Sequence, residues 1–306
     1  MTKQSIVVVG SSNTDMVIKT SRLPLPGETI LGGDFLMNPG GKGANQAVAA
    51  ARLNGNVTLV AKTGNDIFGS QANILFGEEG LHTEFLFTDP TSPSGIALIT
   101  VDDHAENCIV VAPGANAKLT GKEIELARSA ILSAEILLMQ LEIPLDSVCH
   151  AAEIAFKAGK RVILNPAPAQ PLPDTLLKML YLITPNETEL ELLSGLPVNN
   201  TETAEIAARH LLNKGVSVVV VTMGSLGALL VTPTSCQLIP SFPVKAMDTT
   251  AAGDCFNGAL AVAIAEGTDL ESAILFANKA ASISVTRMGA QASSPYREEV
   301  DALMDS

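Results

Sequence analysis

Ile6-Val7-Val8-Val9-Gly10-Ser11-Ser12-Asn13-Thr14-Asp15 sets the reading of the whole chain. A β-branched run that ends at a glycine reads as a strand buried on both faces, since neither set of alternate side chains is polar. The figure recurs at 57–61, 135–140, 161–164, 181–184 and 216–222, the last holding five valines and a threonine. Between these runs, 43–53, 68–79, 145–157, 202–213, 253–266 and 270–285 read as helices. Strands alternating with helices imply βαβ units. The expected fold is therefore a three-layer α/β architecture, a mostly parallel sheet with helices on both faces. Two stretches break the rhythm. Residues 16–37 hold short extended pieces interrupted by Pro24, Pro26, Gly27, Gly32 and Gly33, and 95–111 reads as a strand pair turning near Asp102-Asp103. These are expected to form a small separate β-sheet, an insertion suited to a lid. The 306 residues read as one domain, 1–306, carrying that lid.

Composition narrows the function. Hydrophobic residues make up 47% and aromatic ones only 4%, with no Trp, which suits aliphatic helices packed on a parallel sheet. The formal net charge is −13 and the pI about 4.7, and no run of Lys or Arg offers the footprint of a nucleic-acid binder. An acidic chain that binds an anion must use backbone N–H groups, helix N-termini, a few placed cations and a metal. Cys108, Cys149, Cys236 and Cys255 lie far apart with no CxxC pair, so neither a disulfide framework nor a zinc site is expected. The N-terminus has no signal-peptide pattern. The longest apolar stretch, 259–265, is far short of the ~20 residues that cross a bilayer, and a cytoplasmic protein without a membrane partner is expected.

The strongest local signal is Asp248-Thr249-Thr250-Ala251-Ala252-Gly253-Asp254-Cys255-Phe256-Asn257-Gly258. Small residues lead into a helix, where free N–H groups and the helix dipole favour an anion. Asp254 in the first turn is either an ordinary helix-start carboxylate or a base held beside a transferring phosphoryl group. Pro39-Gly40-Gly41-Lys42-Gly43-Ala44-Asn45-Gln46 is not a P-loop, because Gly43 follows Lys42 where Ser or Thr is needed. Read plainly it is a tight turn. Lys42 and Asn45, three apart, also share a helix face as donors suited to sugar hydroxyls. Asn13 and Asp15, after the first strand, and Glu142, after the strand at 135–140, stand where open α/β sheets bind ligands. In Thr184-Pro185-Asn186-Glu187-Thr188-Glu189, Asn186 and Glu189 form a capping box or reach toward hydrated Mg²⁺ and phosphate. Thr222-Met223-Gly224-Ser225-Leu226-Gly227 is either a turn or a place where a nucleotide lies close to backbone. The four histidines do not cluster, and no GxSxG elbow is present.

Together these motifs resemble the ribokinase-like carbohydrate kinases, nearly end to end, from Gly10–Asp15 to Gly289-Ala290-Gln291. The two most specific are Gly40–Ala47 and Asp248–Asp254, with Asn165-Pro166-Ala167-Pro168-Ala169 in support. The resemblance implies ATP-dependent phosphorylation of the primary hydroxyl of a small sugar, ribose above others. Asp254 would be the base, and Ala251, Ala252 and Gly253 the anion hole. Asn13, Asp15, Gly41, Lys42, Asn45 and Glu142 would hold the sugar. Asn186, Thr222, Gly224, Ser225, Gly227, Gly253 and Asn278 would line the ATP site, and Glu189 would order Mg²⁺ and phosphate. A monovalent cation, usually K⁺, would lie at Asp248, Thr250, Ser284, Arg287, Gly289 and Ser293. Lids of this kind commonly pair into a homodimer. Cys255 stands where Thr or Ser is more familiar, and Asn278 where His is often seen near adenine, which leaves nucleotide preference open. A sibling kinase for deoxyribose, fructose, a phosphosugar or a nucleoside, or an idle sugar-binding regulator, are the other readings.

Overall fold

The structure is a computed structural model and describes residues 5–104 and 106–303. Its strands are β1 (Ser5–Val9), β2 (Asn13–Lys19), β3 (Phe35–Gly40), β4 (Asn56–Gly64), β5 (His82–Asp89), β6 (Gly95–Val101), β7 (Asn107–Ala112), β8 (Ile136–Met139), β9 (Arg161–Leu164), β10 (Leu182–Ile183), β11 (Val218–Thr222), β12 (Ala228–Val231) and β13 (Cys236–Ile239). Nine of them form one sheet in the order β13-β12-β11-β10-β9-β8-β1-β4-β5. The run from β11 to β5 is parallel, and β12 and β13 close one edge as an antiparallel hairpin.

The alternation of apolar side chains divides each strand between two cores. Ile6, Val8, Ile136, Leu138, Val218 and Val220 face a cluster filled by helices Lys42–Arg52, Ala252–Ala265 and Leu270–Ser284. Val7, Val9, Leu137, Met139, Val219 and Val221 face another, filled by helices Leu145–Lys157, Glu187–Ser194 and Thr201–Asn213. A strand buried on both faces must be apolar at every position, which is why these runs carry no polar alternation.

The remaining strands form a four-stranded sheet in the order β3-β2-β6-β7. It is mixed: β2 is antiparallel to β3 and parallel to β6, and β6 is antiparallel to β7. Its first strand begins at Asn13, earlier than the insertion at 16–37 read from sequence, and 20–34 carry no strand. All six residues of β7 are exposed, as are Phe35, Leu36, Met37, Leu98, Ile109 and Val110.

Candidate active site

The chain leaves β1 for β4 and β5 on one side, and builds β8 to β11 on the other. The reversal therefore falls between β1 and β8, where such sheets open a crevice beyond their carboxyl ends. Ser11, just past β1, donates through Oγ to Glu142 Oε2, just past β8, at 2.5 Å. Beyond β9, β10 and β11 lies a cleft of about 230 Å³, walled by Asn165, Thr184, Asn186, Glu189 and Thr222, by Lys42, and by Thr249 and 251–254 with Asn257.

Asp254 forms the buried end of this cleft, 5% exposed. It stands in the first turn of helix Ala252–Ala265, which starts from Ala251 in the left-handed region at φ 58°. For an alanine that conformation is uncommon and strained, and it turns the chain abruptly into the helix. The turn is held by Thr250 N–H on Asp248 Oδ1 (2.9 Å), Ala252 N–H on the Thr249 carbonyl (3.2 Å) and Cys255 N–H on the Ala251 carbonyl (2.9 Å). One of the three residues read as an anion hole, Ala252, thus already donates within the turn. The N–H groups of Gly253 and Asp254 find no acceptor among the described residues. A Cβ placed on Gly253 would meet nothing within 4 Å, so packing does not require glycine there.

The Asp254 carboxylate accepts from Asn45 Nδ2 on Oδ2 (2.9 Å) and from Gln46 Nε2 on Oδ1 (2.9 Å). Burial raises its pKa above the usual carboxylate range, while Lys42, Gln46 and Asn45 pull it back. Lys42 is held protonated chiefly by Asp254 and further by Glu142, Glu189 and Asp15. One cation thus sits among four carboxylates.

The glycine motif brings its residues here because the backbone approaches too closely for side chains. Gly41, at φ 88°, would put a Cβ 2.7 Å from Asn13 N, and Gly43 would put one 2.5 Å from Ser11 N. Glu142 Oε2 accepts from Lys42 N–H (3.0 Å) and so caps the helix those glycines start. Asn13 and Asp15, two apart on β2, share the sheet face that looks onto this group. Burial first, then Glu142 and Asp254, lift Asp15 to about 6.

Four predicted nucleotide positions stand apart from the cleft wall. Gly224 and Ser225 lie in an exposed turn after β11, and Gly227 lets backbone at Ile239 and Ser241 pass closely. Asn278 is turned inward, donating to the carbonyls of Ile239 (3.0 Å) and Pro240 (3.1 Å). Asn186 and Thr222 bridge β10 and β11 across the cleft floor. Asn186 and Glu189 do form a capping box, and Glu189, its pKa raised by burial, also borders the cleft.

Of the positions read as a cation loop, Thr250 and Gly289 meet at Asp248, which accepts from Thr250 N–H (2.9 Å) and Gly289 N–H (2.8 Å). The side chains of Ser284 and Ser293 donate to the Ala281 and Ala290 carbonyls, and Arg287 pairs with Glu299. Arg287 can offer a cation only its backbone carbonyl oxygen, while the two serines keep hydroxyl lone pairs besides their carbonyls. Among the described residues, no group of three or more His, Cys, Asp or Glu side chains could hold a metal, and no helix is long and apolar enough to cross a membrane.

Sequence reading assigned no role to Asn116, Gln46, Gln140, Asn165 or Asn257. Asn257 links Gly253 to Thr184, donating to the Gly253 carbonyl (2.8 Å) and accepting from Thr184 Oγ1 (2.6 Å). A buried amide has no periodic signal of its own, although Gln46 and Asn165 lie within motifs.

A buried carboxylate and helix-start N–H groups unpaired among the described residues, with Lys42 beside them, have the chemistry that phosphoryl transfer to a hydroxyl needs. The pfkB family carbohydrate kinase profile matches residues 3–297, and the chain belongs to that family. It is 43% identical over 297 residues to the ribokinase of Haemophilus influenzae, covering 97% of each chain. It is 39% identical to a deoxyribokinase of Salmonella typhi, covering 96% of each. The solved ribokinase of Arabidopsis thaliana complexed with ribose and ATP superposes with a TM-score of 0.93 at 34% identity, over 99% of each chain.

Proposed function

We propose that this protein is an ATP-dependent ribose kinase, converting D-ribose and ATP to ribose 5-phosphate and ADP. The observation that carries this reading is Asp254, buried and doubly hydrogen-bonded beside two unpaired helix-start N–H groups. Its carboxylate takes the proton of the 5-hydroxyl, that oxygen attacks the γ-phosphorus in line, and ADP leaves. The N–H groups of Gly253 and Asp254 meet the charge on the phosphoryl oxygens, as preorganised donors do, and Lys42 adds a positive charge. Asn13, Asp15, Lys42, Asn45 and Glu142 hold the sugar. Asn45 Oδ1 is buried with no donor among the described residues, an acceptor that a sugar hydroxyl would satisfy.

Mg²⁺ fits as an ion carried by nucleotide phosphates and water, with Glu189 and Asn186 supplying oxygens at the cleft edge. When bound it neutralises phosphate charge. K⁺ fits the loop tied by Asp248, where Thr250, Ser284, Arg287, Gly289 and Ser293 contribute backbone oxygens. Asn186, Thr222, Gly224, Ser225, Gly227 and Asn278 bound the nucleotide region. The small mixed sheet acts as the lid, excluding water when sugar binds. Its apolar faces at β3 and β7 support a homodimer formed through it, since a strand exposed along its whole length needs a cover. Four unpaired cysteines fit a cytoplasmic setting.

A 2-deoxyribose kinase is the second reading, raised by the likeness to the Salmonella enzyme. Asn13 and Asp15 support ribose, because a polar site built for a hydroxyl rejects a substrate lacking it by up to about 10⁴–10⁵. ADP release with ribose, 2-deoxyribose, fructose and a nucleoside, with and without K⁺, tests the reading. Ribose is expected to give the highest kcat/KM and ribose 5-phosphate as product, and ADP release with none of the four would refute a kinase.

A further inference from the structure

Asp254 is held from behind by two side-chain amides in series. Gln46 Nε2 donates to Asp254 Oδ1 (2.9 Å) and also to Asn165 Oδ1 (3.0 Å), so both its hydrogens are committed. Its Oε1 accepts from Gln140 Nε2 (2.6 Å). Gln46 and Gln140 are both fully buried, at 0% exposure. Reversing the Gln46 amide would set its oxygen against two acceptors and its NH₂ against the Gln140 NH₂. The Gln140 amide thus joins Asp254 and Asn165 in excluding that reversal and is the one donor that holds the Gln46 oxygen in place.

Two observations separate this arrangement from ordinary core filling. Gln140 Oε1 is buried with no partner among the described residues, a destabilising feature that an apolar side chain of similar length would lack. Space for it exists only because Gly10 has no Cβ, which would fall 2.2 Å from that oxygen. Stability therefore does not account for the amide, whereas its one hydrogen bond, to Gln46, does. We propose that Gln140 is a positioning residue, which acts through Gln46 to hold the Asp254 carboxylate aimed at the sugar hydroxyl.

The inference rests on Asp254 being the base. It also explains why this support is neutral: an amide orients the carboxylate without lending it a second positive charge beside Lys42. A cation would stabilise the ionised form and weaken the base.

The test is steady-state kinetics of Gln140→Met, Gln46→Met and the double variant, with kcat normalised to the fraction of protein that binds ATP. That normalisation keeps a loss of folded enzyme from counting as a loss of turnover. Gln140→Met is expected to lower kcat about tenfold or more, with both KM values within about twofold of wild type. The double variant should match Gln46→Met alone, since one residue acts through the other. A Gln140→Met enzyme with wild-type kcat, or effects that multiply in the double variant, would overturn the proposal. If Gln140→Met yields no folded protein, Gln46→Met cuts the relay one residue nearer Asp254, and an unchanged kcat there overturns it equally. Asp254→Asn run alongside separates the two failures. A fully active Asp254→Asn refutes the base, while an inactive one beside a normal Gln140→Met refutes only the relay.

Discussion

Asn116 locks the amide of Asn13. Its Nδ2 donates to Asn13 Oδ1 (2.7 Å) and to the Ser12 carbonyl (3.1 Å), while its Oδ1 accepts from Ser12 N–H (2.9 Å). With Oδ1 occupied, Asn13 has its own NH₂ left for a ligand. The same contacts fix the chain where it passes from β1 to the small sheet, and a Cβ on Gly95 would collide with both side chains.

Asn116→Leu should therefore raise the KM for ribose about tenfold or more and narrow the preference for ribose over 2-deoxyribose, with the KM for ATP little changed. Unfolding should show a loss of about 1–3 kcal/mol, because the Ser12 backbone groups are left buried and unpaired. Equal KM shifts for both substrates would mean that Asn116 supports the fold without setting the sugar site.

Gly253→Ala separates stability from activity. Alanine is better than glycine within a helix by up to about 1 kcal/mol, and here its Cβ meets only open cleft. Tm should be unchanged or slightly higher while kcat falls at least tenfold, since the methyl group occupies the place meant for phosphoryl oxygens. An alanine enzyme with normal kcat would remove the anion site from this turn.

Asp15 gives a pH dependence of stability with a definite sign. Its pKa rises from 3.8 unfolded to about 6 in the fold. Across that window the native state holds more protons than the unfolded chain, so stability falls as pH rises from about 4 to 6 and stays lower above it. Asp15→Asn should flatten this slope and raise the Tm of the ligand-free protein at pH 7 to 8, while weakening ribose binding. Thermal melts from pH 4 to 8 check this, and an unchanged slope in the variant would place the titrating group elsewhere.

The parallel sheet was legible because its strands are apolar on both faces, a pattern that few other environments allow. The edge hairpin β12–β13 was not legible, as its two strands are only four residues each, too short to show a clear period. β5 escaped because His82, Thr83 and Glu84 mask its apolar residues at 85–87. Within the site, residues beside glycine clusters were readable, since close backbone approach restricts residue choice over several positions. Asn116 and Gln140 were not. Each acts through bonds to residues far away in the chain, and a buried amide looks like any polar residue until its partners are placed.

The proposed mechanism turns on Asp254 removing the proton from the sugar hydroxyl. The most direct measurement is turnover of Asp254→Asn with saturating ribose and ATP, alongside ATP affinity by calorimetry. The variant should bind ATP about as well as the wild-type protein and turn over about 10²–10⁴ times more slowly, the range typical of losing a general base. Wild-type turnover in that variant would contradict the mechanism.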